Sequence, residues 1–395
     1  MSEREIRYLP TGFQAAGIAA GIKERGSDRL DLGLLLADEA YPAACLFTKN
    51  ALQGAHIPVC REHLKRSGGL VRAILVNAGN ANCATGAEGI DDAFACAEKV
   101  AEEIGCPTEQ VLPMSTGVIG ARLPLDRILD AIPGLVHRAA TNGADDFARA
   151  ILTTDTRPKI VATRYLDGDL QITGIAKGSG MIHPDMATML AFLLTDARLV
   201  EPLDTLRSVA DQSFHCLSVD GDTSPNDSVV LWGSGTGSCP PDRLTRPLTR
   251  AAQELCQLIA SDGEGASRTI LIEVSGAASD DEARQAAATI ATSPLVKTAI
   301  AGRDPNWGRI VSAVGRSGVS VDLAKASLNI GTARLFENGR PLPENEAAAS
   351  KWLNSEPDHS YPDILCDLGV GDGLCRYWTC DLTADYVRIN ADYRS

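Results

Sequence analysis

The sequence predicts a mixed α/β fold, an α+β blend built as layers with mixed sheets rather than one doubly wound parallel sheet. Three observations carry this expectation. The 395 residues exceed what a single compact core usually holds, so two domains or two interlocked halves are expected. Short apolar runs alternate with helical stretches through the first half. Midway, Asp167-Gly168 lies between two β-patterned runs, a strong hairpin signal that makes the pairing antiparallel.

In chain order, Arg29 to Ala37 (RLDLGLLLA), Ala43 to Asn50 (AACLFTKN) and Ala73 to Gly79 (AILVNAG) read as strands. A helix runs from about Asp91 to Ile104, with Asp91 as N-cap and Gly105 at the C′ position. Val111 to Gly117 is a short strand entering a turn, and a helix covers about Asp145 to Leu152. KIVATRYL and DLQITGIA flank the Asp167-Gly168 turn, and the second delivers the chain to Lys177. After a glycine-rich loop, TMLAFLLTDA has the length and composition of a buried strand. A helix from about Pro202 to Cys216, the strand SVVLWGS and a helix from about Asp242 to Ala260 follow. Next come the strand TILIEVSG and a helix from Asp280 to Ile290. The last third reads as strand-rich apart from a helix near Glu344 to Leu353.

Bulk properties exclude several classes. A formal charge of −14 argues against nucleic acid, since phosphate binding needs a basic surface. An acidic substrate must then be held by a few local cations. The amino terminus, MSEREIRYLP, carries charges where a signal peptide needs an apolar core, and no run reaches the roughly 18–20 apolar residues of a membrane helix. A cytoplasmic location is expected. Eleven cysteines occur without a CxxC pair, and Cys375 and Cys380, the closest two, have no nearby histidine to complete a zinc site. They read as reduced thiols in the core, and no metal is expected.

The most informative stretch is KGSGMIHPDMATML, Lys177 to Leu190. It suits a chain that cuts itself between Ala187 and Thr188. The freed threonine would carry its own base, an α-amine with a pKa near ~7.7–8.0 beside the hydroxyl. Gly178, Ser179, Gly180 and Ala187 are small enough for the close backbone approach that cleavage needs, and Pro184 sets a bend. Taken alone, the stretch reads more simply as a glycine-rich loop, with a β-branched residue opening a strand.

Further motifs accompany it along the whole chain. They are GFQAAGIAAGIK (Gly12 to Lys23), LFTKN (Leu46 to Asn50), NAGNANCATG (Asn77 to Gly86), PMSTGVIG (Pro113 to Gly120) and LTTDT (Leu152 to Thr156). Beyond the loop come DGDTSPND (Asp220 to Asp227), SDGEGASR (Ser261 to Arg268), AGRDPNWGRI (Ala301 to Ile310) and YVRINADY (Tyr386 to Tyr393). In this order they resemble the glutamate N-acetyltransferase (ornithine acetyltransferase) family, whose members split at an Ala-Thr bond in a KGSGM…ATML motif.

The resemblance implies an αββα-like layered sandwich built from two autoproteolytic halves. These are an α chain of residues 1–187 and a β chain of residues 188–395, which stay associated, as an α2β2 heterotetramer. Thr188 would accept the acetyl group of N2-acetyl-L-ornithine and pass it to L-glutamate by a ping-pong route, within cyclic arginine biosynthesis. No metal or prosthetic group is implied; acetyl-CoA serves some members as a donor, and the sequence does not decide that here.

By the same resemblance, Thr116 and Gly117 form the oxyanion hole. Their residue types suit it, since glycine admits a backbone N–H and threonine offers a hydroxyl. Thr154, Lys177, Thr188, Glu264, Asn390 and Ser395 match substrate-binding positions. Lys177 either lowers the barrier electrostatically or binds a substrate carboxylate. Glu264 pairs with the substrate amine or orients the amine of Thr188. Asn390 and Ser395 require the last six residues to be ordered and tucked inward, unlike most chain ends. Asp185 and Pro225 depart from the family pattern, which often has Asn and Thr there. His183 does not specify a general base, and Arg303, Asp304 and Arg309 are left outside the site.

Two other functional classes compete. An amidohydrolase or aminopeptidase would use the same nucleophile with water as acceptor. A binding protein would keep an uncut, purely structural loop.

Overall fold

The computed structural model describes residues 9–165, 170–183, 189–355 and 361–392, which form two mixed β-sheets clad by helices. The first part of the chain runs β1 (Phe13–Ile18), β2 (Leu32–Phe47), α1 (His56–Arg66), β3 (Leu70–Asn80), α2 (Gly86–Ile104), β4 (Val111–Val118), α3 (Leu125–Arg138) and α4 (Ala144–Ala150). Then follow β5 (Lys159–Tyr165), β6 (Leu170–Lys177), β7 (Leu190–Thr195), α5 (Pro202–Asp211), β8 (Ser228–Gly233) and α6 (Thr245–Ser261). Next are β9 (Thr269–Ala277), α7 (Asp280–Ala291), α8 (Pro294–Ala301), α9 (Trp307–Gly315), β10 (Ser327–Ile330), β11 (Ala333–Glu337) and β12 (Arg340–Pro341). Last come α10 (Glu346–Leu353), β13 (Ile364–Asp367), β14 (Gly373–Cys380) and α11 (Ala384–Asp392).

The first sheet has the order β4-β3-β2-β8-β7-β6-β5, with β1 added beside β2. Its β3–β4 and β7–β8 pairs are parallel and its other pairs antiparallel, so the sheet is mixed as expected. The second sheet runs β12-β11-β10-β13-β9-β14, and only its β9–β13 pair is parallel. Helix α6 packs on β5 and β6 of the first sheet and on β9 and β14 of the second, while α7 packs on β9 and β14.

Strands β6 to β8 read as nearly continuous apolar runs because both of their faces are covered. Ile172, Leu193 and Leu231 face one core, which also holds Leu248 and Leu255 of α6. The alternate residues Ile175, Phe192, Val230 and Trp232 face a second core with Phe147 of α4. Since β7 and β8 follow residue 188 in sequence yet lie between β6 and β2, both sides of that position share one hydrogen-bonded sheet.

Several expectations are corrected. The runs 29–37 and 43–50 form the single strand β2, which carries an irregularity between Leu36 and Tyr41 where its pairing passes toward β8. Helix α2 begins at Gly86, so Asp91 is not its N-cap; Gly105 at its end is left-handed, φ +68°, as expected. Helix α5 stops at Asp211 because Ser213 leaves the helical backbone and its hydroxyl takes the Val209 carbonyl at 2.6 Å. The last third is not mainly strand: α8, α9 and α11 lie there too. The Asp167-Gly168 turn falls outside the described residues, but β5 and β6 pair antiparallel on either side of it. All eleven cysteines are free thiols, and all but Cys106 are buried. Among the described residues no helix is long and apolar enough to cross a membrane.

Candidate active site

The parallel strands β3 and β4 end side by side, with Ala78 opposite Thr116 and Gly79 opposite Gly117. Gly117 has φ +134°, and a Cβ there would sit 2.3 Å from the Gly79 carbonyl carbon, so this close approach requires glycine. Buried amide chemistry fixes the strand ends. Ser115 Oγ donates to Asn77 Oδ1 at 2.6 Å, and Asn77 Nδ2 donates to the Asn80 carbonyl at 2.8 Å.

Lys177 closes β6 opposite Leu190 of β7, and its Nζ donates to Thr116 Oγ at 3.3 Å. Burial lowers its pKa, with Lys159 adding to that effect, while Asp155, Asp227 and Glu264 oppose it. A buried ion network lies beneath. Lys159 Nζ reaches Asp155 Oδ1 at 2.7 Å and Asp262 Oδ2 at 2.6 Å. Asp155 also accepts from the Gly178 N–H at 2.5 Å and the Thr153 N–H at 3.0 Å. Burial disfavours its charge, but Lys177 and Lys159 outweigh that and hold the carboxyl well below the usual range.

The loop after β6 is gripped from three directions. Thr154 and Ser179 share a hydroxyl–hydroxyl bond of 2.8 Å, and the Glu264 N–H donates to the Ser179 carbonyl at 2.9 Å. The Met181 and Ile182 N–H groups donate to the Asp220 carboxylate at 2.6 and 2.9 Å. Met181 is held at φ +57°, a strained value for a non-glycine residue and one that collects at functional sites. A Cβ on Gly180 would lie 2.3 Å from the Glu264 carboxyl carbon. On the far side Asn390 of α11 donates its Nδ2 to Glu264 Oε2 at 2.8 Å.

Together these elements line one cleft that opens to solvent. Thr116, Gly117, Thr154, Lys177, Glu264 and Asn390 all line it, so six residues singled out from the sequence meet at one place. Ala187, Thr188 and Ser395 lie outside the described residues. Met189, next in the chain after Thr188, is buried; its carbonyl accepts from the Ser228 N–H at 3.0 Å, and its neighbour Leu190 faces Lys177. One wall of the cleft therefore offers an ammonium, a hydroxyl and a strand-end backbone to negative charge. The other offers the Glu264 carboxylate and the Asn390 amide, a division suited to an amino acid.

Sequence reasoning missed the supports. Asp155 and Asp262 stand inside the quoted LTTDT and SDGEGASR motifs, which is the signal that points to them, whereas Lys159 looks like any residue opening a strand. Asn226 lines the cleft, with its Nδ2 donating to the Ala81 and Ser115 carbonyls at 2.5 and 2.8 Å. His183 bonds Ser218 Oγ at 3.2 Å, and Arg309 donates to the Leu295 carbonyl at 2.8 Å; neither lines the cleft.

Comparison with known proteins agrees with the order of motifs. The ArgJ family model matches residues 14–395. The chain is 44% identical over 401 residues to arginine biosynthesis bifunctional protein ArgJ 1 of Nostoc sp., covering 97% of this chain and 96% of that one. A crystal structure of arginine biosynthesis bifunctional protein ArgJ from Bacillus halodurans is 40% identical, covering 52% of this chain and all of that chain, with a TM-score of 0.49. Ornithine acetyltransferase from Mycobacterium tuberculosis, solved in complex with ornithine, is 38% identical, covering 46% of this chain and 94% of that one, with a TM-score of 0.42. A family match across nearly the whole length settles the affiliation: the chain belongs to the ArgJ family.

Proposed function

We propose that this enzyme transfers an acetyl group from N2-acetyl-L-ornithine to L-glutamate in arginine biosynthesis, through an acetyl group carried on Thr188. The observation that carries this reading is the cleft itself. A polarising lysine, a Thr-Gly strand end and a carboxylate converge in it, and the lysine pairs in register with Leu190, two residues after the proposed nucleophile.

Cleavage between Ala187 and Thr188 converts residues 1–187 and 188–395 into two chains and exposes the threonine amine as the local base. The Thr188 hydroxyl attacks the acetyl carbonyl of acetylornithine. The oxyanion develops against the Thr116 hydroxyl, itself hydrogen-bonded by Lys177, and the Gly117 backbone. The C–N bond then breaks, and ornithine leaves with a proton. Glutamate enters the same cleft, its amine attacks the acetyl ester, and N-acetylglutamate departs. Glu264, held by Asn390, faces the α-nitrogen that carries the acetyl group in the donor and attacks the ester in the acceptor, where it can take up the proton the attacking amine loses, while Thr154 and Ser395 complete substrate binding. Two substrates served in turn by one covalent intermediate give ping-pong kinetics. This chemistry needs no resident cofactor; acetyl-CoA is a second donor to be tested in the same assay. The shared first sheet supports halves that stay together after cleavage; the α2β2 assembly is the expectation from the resemblance, and the cytoplasmic setting the expectation from composition.

The test supplies acetylornithine with and without glutamate to the wild-type enzyme and to Thr188→Ala. Acetylglutamate formed only with glutamate, and lost in Thr188→Ala, is the expected result. Free acetate at the same rate without glutamate would make the enzyme an amidohydrolase. Undiminished transfer by Thr188→Ala would remove the nucleophile.

A further inference from the structure

The strand ends that carry Thr116 and Gly117 are not held by the β3–β4 ladder alone. Their register slips between Gly79 and Asn80, where Asn80 faces both Thr116 and Val118. An irregularity of this kind disrupts the ladder, which stops specifying the backbone there. An oxyanion hole needs the opposite, donors fixed before charge develops. Asn226, in the loop between α5 and β8, supplies the missing constraint. Its Nδ2 donates to the Ser115 carbonyl at 2.8 Å and to the Ala81 carbonyl at 2.5 Å. The Ala81 N–H donates in turn to the Val118 carbonyl at 2.9 Å. Thr116 and Gly117 therefore lie inside a circuit of three hydrogen bonds, anchored at the residue before them and the residue after them.

The amide that closes this circuit is itself built in. Both Nδ2 partners are carbonyl oxygens, which only the nitrogen end of the amide can serve, so its orientation is set. Asn226 is 5% exposed, and a Cβ on Gly54 would lie 2.9 Å from its Nδ2, so the amide packs where any larger residue would stand. The backbone around it is tied down as well. Gly54 N–H donates to the Pro225 carbonyl at 2.9 Å, Asn226 N–H to Ser224 Oγ at 3.1 Å, and Thr48 Oγ1 to the Ser224 carbonyl at 2.7 Å. Ala81, Thr116, Gly117 and Asn226 all line the cleft.

We propose that Asn226 is a positioning residue for acetyl transfer: its side-chain amide clamps the Ser115 and Ala81 carbonyls and so holds Thr116 and Gly117 in the conformation that receives the oxyanion. This rests on the acetyl-transfer reading given above. Without the clamp, a shift of the backbone at 115–118 carries the Thr116 hydroxyl away from Lys177 Nζ, its partner at 3.3 Å, and re-aims the Gly117 backbone. Misplacing such donors by about 1 Å costs up to about 10²-fold in rate. The oxyanion exists in the transition state and not in the bound substrate, so the clamp acts on kcat and leaves ground-state binding alone.

The experiment compares wild type, Asn226→Ala and Asn226→Asp as full-length chains. Alanine removes the clamp, and aspartate keeps its shape while turning an acceptor toward both carbonyls. Leu328→Ala, in the core of the second sheet, serves as a destabilised control. The readouts are the cleaved fraction by denatured mass, kcat of acetyl transfer per folded and cleaved chain, and ornithine binding by calorimetry. Both Asn226 variants are expected to be cleaved, with kcat down about 10- to 100-fold and the ornithine Kd within about twofold of wild type. Leu328→Ala should keep wild-type kcat per folded chain. A wild-type kcat in cleaved Asn226→Ala would overturn the proposal. So would a loss of ornithine affinity equal to the loss of kcat, which would make the amide a binding group, or a kcat loss no greater than that of Leu328→Ala. Folded variants that remain uncut would overturn it as well, because the amide would then serve cleavage rather than transfer. If wild type itself forms no acetylglutamate, the transfer reading fails and this proposal falls with it, whereas an active wild type matched by its variants refutes this proposal alone.

Discussion

Replacing Lys159 with methionine tests the network under the cleft. The lysine Nζ lies 2.7 Å from Asp155 Oδ1 and 2.6 Å from Asp262 Oδ2, and all three side chains are essentially inaccessible to solvent. Methionine nearly preserves the volume and removes the charge, leaving two buried carboxylates without their shared cation. Breaking a buried pair this way costs about 3–5 kcal/mol. Asp155 keeps the Gly178 and Thr153 amides and the field of Lys177, while Asp262 keeps the Thr156 N–H at 3.1 Å. The lower end, about 3 kcal/mol, is therefore expected, a large share of the roughly 5–15 kcal/mol that holds a typical protein folded. The assay is urea unfolding at neutral pH, read as a drop in midpoint at unchanged slope.

The pH dependence follows with a definite sign. Asp155 has a folded pKa depressed below its unfolded value, so its contribution is complete above ~3.9 and is lost as pH falls toward the folded value. Without Lys159 that depression shrinks, and acid unfolding should begin at higher pH. A loss under about 1 kcal/mol with an unchanged acid transition would refute the reasoning, since it would match an exposed pair rather than a buried one.

Other outcomes follow from the same geometry. Gly117→Ala should splay the β3–β4 end, because its Cβ would lie 2.3 Å from the Gly79 carbonyl carbon at φ +134°; unfolding should show a loss of about 1–3 kcal/mol, and acetyl transfer should fall sharply. Asn390→Ala removes the 2.8 Å bond to Glu264 from an exposed helix, so stability should change by less than about 0.5 kcal/mol while KM for the amino-acid substrates rises. Asp227 has a raised folded pKa, so its favourable protonated state is complete below ~3.9 and is lost as pH climbs toward the folded value. Asp227→Asn should accordingly stabilise the fold at pH 7, read as a higher urea midpoint, and equal stability of the two proteins at that pH would count against this cost of burial.

The parts of the fold legible in the sequence were those with unbroken apolar pattern. β7 and β8 are buried at every position, and their runs read directly as strands. β2 did not, because Asp38, Glu39 and Pro42 interrupt it as a loop would, although pairing with β3 and β8 carries the strand through. Helix α1 escaped notice because two of its buried positions are His56 and His63, which blur the apolar stripe. Helix α9 begins within AGRDPNWGRI, where Asn306 caps it by accepting the Arg309 N–H; the charged residues around its start mask the apolar stripe that would mark it. At the site, motifs identified the residues facing the cleft. The pairing of Lys159 with Asp155 and Asp262 was not legible, because the three meet only when β5, the LTTDT turn and the end of α6 are brought together. Spacing along a chain does not encode that meeting.

The proposed chemistry depends on self-cleavage before Thr188, which frees the threonine that carries the acetyl group. The most direct measurement is the denatured mass of purified wild-type protein with amino-terminal sequencing of each fragment. Two chains are expected, residues 1–187 and 188–395, the second beginning Thr-Met-Leu-Ala. An active protein that remains a single 41.7 kDa chain would contradict it, because no α-amine would then exist beside the hydroxyl.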